Sequence, residues 1–228
     1  MYKETLTELF EEKKNKDNAA QMSKYMKFHF PFLGIKSPDT KLLLREFFKK
    51  TNILKEEKLP EAFFREVWEL PEREFQYAVL TMLVRRPKWL TSEDMEFVEE
   101  LITTKSWWDT VDTTASNIVG ELFLREPLLV HKHIPVWKSH ENMWLRRTAI
   151  LFQLKYKAET DEELLFHIIR LNMADREFFI RKAIGWALRE YSKTKPEVVK
   201  AFIEEESAKL SNLSIREGMK HIKKEPSK

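Results

Sequence analysis

Apolar residues recur at helical spacing along nearly the whole chain, and the pattern echoes at a fixed distance. Trp144-Leu-Arg-Arg-Thr and Phe179-Ile-Arg-Lys-Ala begin 35 residues apart, as do Tyr156 and Tyr191, while the segment from Phe75 and the helix at Trp107 fit the spacing loosely. A period of this length suits a pair of helices whose one apolar face is too small to stand alone and is covered by the next pair. The chain is thereby confined to an all-α array of stacked antiparallel helix pairs, a solenoid. Such arrays curve, and curvature leaves a concave groove.

Breakers divide the pattern into helices expected near 2–14, 18–30, 38–51, 60–69, 72–86, 92–104, 107–125, 127–139, 142–156, 161–172, 175–192, 196–206 and 213–223. Pro38, Pro60, Pro71, Pro127 and Pro196 fall at or near the starts, where a missing N–H costs little. Only 4 Gly against 34% charged residues fits densely charged helix faces, and no segment reads as a strand. The 43% hydrophobic content suffices for one domain, 1–228, with 222–228 a frayed tail. Without Cys there is no disulfide framework and no thiolate metal site. The N-terminus has no signal-peptide core and no apolar run approaches a membrane span, so the expectation is a soluble, cytoplasmic protein. A net charge of +3 means that affinity for a polyanion must come from the distribution of charge rather than its total.

The helix beginning near Lys105-Ser-Trp-Trp-Asp-Thr-Val-Asp112 carries the most unusual chemistry. Ser106 is the expected N-cap, and Trp107, Val111, Ala115, Ile118 and Leu122 form its buried stripe. Trp108 lies off that stripe, one turn before Asp112 and two before Ser116, so an aromatic plane and a carboxylate stand together on the polar side. Loss of the Asp112 charge there is expected to cost little stability. Equivalent polar stripes offer Arg147 and Lys155 on one later helix and Lys182, Trp186 and Arg189 on the next. Cations interleaved with aromatics are a means of holding phosphates while touching sugars or bases. Gly185, mid-helix, costs about 1 kcal/mol relative to Ala and implies close approach of either a neighbouring helix or a ligand.

What is missing constrains the chemistry as well. The six His show no metal-ligand spacing beyond His131-Lys-His133, whose members do not share a helix face. There is no phosphate-binding glycine loop and no serine elbow or Cys nucleophile. Glu72 and Glu74, and Asp161-Glu-Glu163, sit at helix starts where capping and the dipole account for them. Around Trp108, Asp112 and Trp186 there is one carboxylate, no His, and no second acid at a spacing that shares the face.

The Lys105–Asp112 run, Trp144-Leu-Arg-Arg-Thr-Ala-Ile150 with Leu-Phe-Gln-Leu-Lys-Tyr156, and Phe178-Phe-Ile-Arg-Lys-Ala-Ile-Gly-Trp-Ala-Leu-Arg-Glu-Tyr191 together resemble the bacterial AlkD family of alkylpurine DNA glycosylases. Met26-Lys-Phe-His-Phe30, Phe32-Leu-Gly-Ile35 and Leu70-Pro-Glu-Arg-Glu-Phe-Gln76 extend the likeness over nearly the whole chain. The resemblance implies a right-handed superhelix of HEAT-like repeats holding damaged duplex DNA in its concave face. It implies a monomer, without cofactor, metal or membrane, that hydrolyses the N-glycosidic bond of cationic N3- and N7-alkylated purines without flipping the base, on DNA in the bacterial cytoplasm. By position, Asp112 matches the catalytic carboxylate, Trp108 and Trp186 the aromatics that cradle the deoxyribose, Arg147 the phosphate-contacting cation and Tyr25 an aromatic at the groove edge. Lys182, Arg189 and Lys36 complete the expected DNA contacts, although Lys36 stands where the pattern has an uncharged Gln. The alternatives are a non-catalytic repeat protein for branched or distorted DNA and a protein-binding scaffold of the HEAT type.

Overall fold

The structure, a computed structural model, describes residues 1–222, which form helices joined by turns with no strand among them. The all-α class read from the sequence is therefore the class observed. Residues 223–228, the greater part of the expected tail, lie outside the described residues, and Ile222 is buried. Contacts gather the chain into two compact units, Met1–Leu90 and Thr91 onward, a division that reading the chain as a single array did not anticipate.

The first unit contains α1 (Tyr2–Glu11), α2 (Lys16–Tyr25), α3 (Ser37–Thr51), α4 (Glu61–Trp68) and α5 (Arg73–Arg85) around a core with Phe10, Phe47, Phe64 and Trp68 fully buried. Asn15 caps α2 by accepting the Asn18 N–H at 2.9 Å, Pro38 lies in the first turn of α3, and Pro60 is the N-cap of α4. The helix expected over 18–30 stops at Tyr25. Lys27 and Phe28 both take positive φ, 57° and 59°, and the Phe28 N–H closes onto the Ser23 carbonyl at 2.7 Å. The following loop is pinned from α5. Glu74 is fully buried and accepts the backbone N–H groups of Leu33, Gly34 and Ile35 at 3.0, 2.8 and 3.0 Å, while the Arg73 guanidinium lies 3.8 Å from the centre of the Phe30 ring. Complementing the helix dipole thus does not account for Glu74: it satisfies three amides of a buried loop that have no helix or sheet partner. Gly34, with φ of 91°, is required there, since a Cβ would stand 2.0 Å from the Asn15 carbonyl oxygen.

The second unit runs α6 (Met95–Thr103), α7 (Trp108–Thr113), a π-helical turn (Thr114–Val119), α8 (Gly120–Arg125), α9 (Leu128–Trp137), α10 (Met143–Leu151), α11 (Glu162–Asn172), α12 (Phe178–Ser192), α13 (Pro196–Glu205) and α14 (Asn212–Gly218). α10 packs on both the π-helical turn and α12, and α12 packs on α14. The 35-residue echo is thus a row of neighbouring helices, with α9, α11 and α13 packed beside them. Trp107, Trp144 and Phe179 meet across the row, Trp107 edge-on to Phe179 with centroids 4.9 Å apart and Trp144 5.2 Å from the same ring. Gly185 answers the question left by the sequence: a Cβ would stand 2.6 Å from the Glu217 Cβ, so the close approach is α14 against α12. The helix expected over 142–156 ends at Leu151, and Asn142 caps it by accepting the Trp144 N–H at 2.9 Å.

Candidate active site

The helix bearing Trp108 and Asp112 begins differently from the expectation. Ser106 is not its cap, because the Ser106 hydroxyl donates back to the Ile102 carbonyl at 2.6 Å and Trp107 occupies the N-cap position with extended backbone. Val111, Ala115, Ile118 and Leu122 are buried as expected, whereas Trp107 is half-buried at the helix entry. Two residues after Asp112, at Thr114, the helix widens into the π-helical turn. There the Thr114 hydroxyl donates to the Thr110 carbonyl at 2.9 Å, Ser116 to that of Asp112 at 2.8 Å, and the Asn117 amide to that of Thr113 at 3.2 Å. Side chains thus serve carbonyls that a widened turn leaves poorly paired. The run Thr113-Thr114-Ala115-Ser116-Asn117, poor in strong helix formers, was the signal available in the sequence.

A cleft of about 380 Å³ in the second unit gathers six residues singled out beforehand: Trp108, Asp112, Arg147, Lys182, Trp186 and Arg189. Phe178, Phe179, Glu217 and Lys220 complete its lining. The other two expected DNA contacts belong to the first unit. Tyr25 ends α2 with 72% of its surface exposed, and Lys36, also exposed, is the N-cap of α3. Lys155, considered for the groove, donates to the Asn117 side-chain oxygen.

Arg147 does not present its charge to the cleft as a free cation would. Its side chain is 3% exposed and clasps the Asp112 carboxylate with both ends of its fork, Nε on Oδ1 at 2.7 Å and Nη2 on Oδ2 at 2.9 Å, while Nη1 donates to the Phe179 carbonyl. Asp112, with 14% of its side chain exposed, is the member of the pair that meets solvent. Burial raises its carboxyl above the ordinary 3.8, an effect that Arg147 opposes by hydrogen bond and charge and Asp109 reinforces. The sequence reading took Asp112 for a solvated acid, whereas it is paired with a buried guanidinium. Loss of its charge takes a partner from Arg147 but also relieves the burial cost that raises the carboxyl, so the two effects oppose each other.

A second acid also lines the cleft, contrary to the sequence reading. Glu217, with 5% of its side chain exposed, takes Lys182 and Lys220 on Oε1 at 3.1 and 2.7 Å and Arg189 on Oε2 at 2.8 Å. The Lys220 hydrogen bond, with help from Lys182, pulls its carboxyl down to about 2 against the cost of burial. It is therefore ionised at neutral pH and is no proton donor. Spacing within a single helix gave no access to it, because it reaches the cleft from α14, one repeat beyond Lys182. Among the described residues, no group of three His, Asp or Glu is arranged to hold a metal ion.

The family model of DNA alkylation repair enzymes matches residues 6–222. No curated protein matches the chain. Among solved structures, a protein from Enterococcus faecalis described as a predicted DNA alkylation repair enzyme superposes with a TM-score of 0.84 at 33% identity, over 93% of this chain and 98% of that one. The protein smu.31 from Streptococcus mutans UA159 shares the fold, with a TM-score of 0.60 at 18% identity over 81% of this chain and 98% of its own.

Proposed function

Because the chain belongs to the DNA alkylation repair enzyme family, we propose that it is a monofunctional DNA glycosylase of the AlkD type, releasing cationic N3- and N7-alkylated purines from duplex DNA without drawing the base into a pocket. The observation that carries this reading is the cleft in which Trp108 and Trp186 stand beside an Asp112 carboxylate oriented by a buried arginine. An N7- or N3-alkylated purine already carries positive charge and departs as a neutral base, so the step needs little help from a general acid. Positive charge then develops on the deoxyribose. Asp112 stabilises that cation and orients the attacking water, Arg147 fixes the carboxylate so that little reorganisation is needed, and the Trp108 and Trp186 faces offer quadrupole density while excluding solvent. The other carboxyl of the cleft is ionised and saturated with cations, so it does not serve as an acid for a neutral leaving group.

The test is a panel of duplexes, each with one defined lesion, from which released bases are identified. 7-Methylguanine and 3-methyladenine are expected in the supernatant, and uracil, hypoxanthine and oxidised guanine are not. Release of a neutral base at a comparable rate would contradict the mechanism. Duplex binding with no released base would favour a non-catalytic DNA-binding protein.

A further inference from the structure

Asp112, Arg147, Lys182 and Glu217 follow one another at intervals of 35 residues, one position repeated on α7, α10, α12 and α14 of the second unit. They form two ion pairs of opposite polarity. In the first the cation is sunk, Arg147 at 3% exposure beneath Asp112 at 14%, so negative charge faces the cleft. In the second the anion is sunk, Glu217 at 5% beneath Lys182 at 40%, and Arg189 and Lys220 join Lys182 on the same carboxylate. The cleft thus shows a carboxylate on one side and a group of three cations on the other. The three heads gather on one carboxylate and outnumber it; Arg189 also lies 4.0 Å from Glu190, which is shared with Lys193.

The ion pairs hold Glu217 ionised in the fold, but stability alone does not require an acid here. Lysines exposed to the extent of Lys182 and Lys220, 40% and 48%, gain little from an ion pair, and an apolar side chain at position 217 would pack against Gly185 without burying a charge. The pattern matches a nucleotide, which in the proposed reaction carries developing positive charge on the sugar and fixed negative charge on the neighbouring phosphate. We infer that Glu217 is a positioning residue that assembles Lys182, Arg189 and Lys220 into a preformed cradle for a backbone phosphate, setting the strand so that the adjoining sugar meets Asp112. The catalytic part of this inference rests on the glycosylase reading, and the phosphate-binding part does not.

The experiment compares wild type, Glu217→Gln and Lys220→Met in two assays: single-turnover release of 7-methylguanine from a defined duplex, and affinity for the undamaged duplex across a salt series. Glu217→Gln removes a negative charge and the anchor together. It is expected to bind undamaged duplex at least as tightly as wild type and to release base at least tenfold more slowly, a divergence that simple loss of structure does not produce. Lys220→Met is expected to reduce the salt dependence by about one counterion. Release by Glu217→Gln at the wild-type rate, or a parallel fall in affinity and release, would overturn the positioning role, and an unchanged salt slope for Lys220→Met would remove the cradle. Should Glu217→Gln fail to fold, the half-exposed Lys220 still decides the question. If wild type releases no base, the glycosylase reading fails while the salt series continues to test the cradle.

Discussion

Each of the two units buries a carboxylate, and they satisfy it in different ways. In the first, Glu74 is enclosed completely and accepts three backbone N–H groups from residues 33 to 35, an arrangement fixed by the chain itself. In the second, Asp112 and Glu217 are held by side-chain cations at the wall of a cleft. Backbone amides give a carboxylate a rigid environment with no access for a ligand, which suits holding a loop. Cationic side chains neutralise it while leaving one member of the pair at the surface, where its charge can act on something else. The difference separates a carboxylate that maintains the fold from carboxylates available to chemistry.

The strongest test of that distinction is at Asp112. Asp112→Asn is expected to slow base release by about 10²–10³-fold, the scale of removing one preorganised electrostatic group, with a far smaller change in stability, because the burial cost it relieves opposes the loss of Arg147's partner. Single-turnover kinetics and urea unfolding measure the two effects separately. The pH profile sharpens it further. Burial raises the Asp112 carboxyl above 3.8, and the ionised form acts, so release should fall with acid through a limb lying above the ordinary aspartate range. The linkage to stability has opposite signs at the two acids. Between its ordinary and raised values the folded Asp112 binds more protons than the unfolded one, so its contribution diminishes as pH rises through that window. Glu217, pulled from 4.5 to about 2, contributes fully above 4.5 and loses that contribution as pH falls toward 2.

Glu74→Gln should have the reverse profile. Placing an amide among three N–H donors leaves at least one unsatisfied, with an expected loss of about 3 kcal/mol in urea unfolding and no change in base release per folded molecule. A fall in release by fully folded Glu74→Gln would break the division between the two kinds of carboxylate. The smallest effect is expected at Phe28. With φ of 59° and 73% of its surface exposed, it bears left-handed backbone strain without compensating burial, so Phe28→Gly should raise stability by about 0.5 kcal/mol, visible as a small upward shift in Tm.

Much of the architecture was legible because helix formation leaves local marks. The 3.6-residue period and prolines at starts bring the expected helix starts close to those observed, and Trp108 and Asp112 are neighbours simply because they are one turn apart. The early end of α2 was not legible, since Lys27 and Phe28 are unusual choices for positive φ, and the turn is closed by the Phe28 N–H on the Ser23 carbonyl and the Ser23 hydroxyl on the Phe30 carbonyl. Likewise Arg147 and Glu217 could be identified as charged residues, but not as a buried cation and a buried anion.

By itself, then, the sequence determined the all-helical class, the 35-residue register and six of the residues that meet in the cleft, because period and spacing act through backbone geometry. Only the tertiary structure decided which member of each ion pair faces outward and that Glu217 stands among the cations. Desolvation is imposed by helices a full repeat away, and the exposure of a charge depends on what packs over it rather than on its neighbours in the chain.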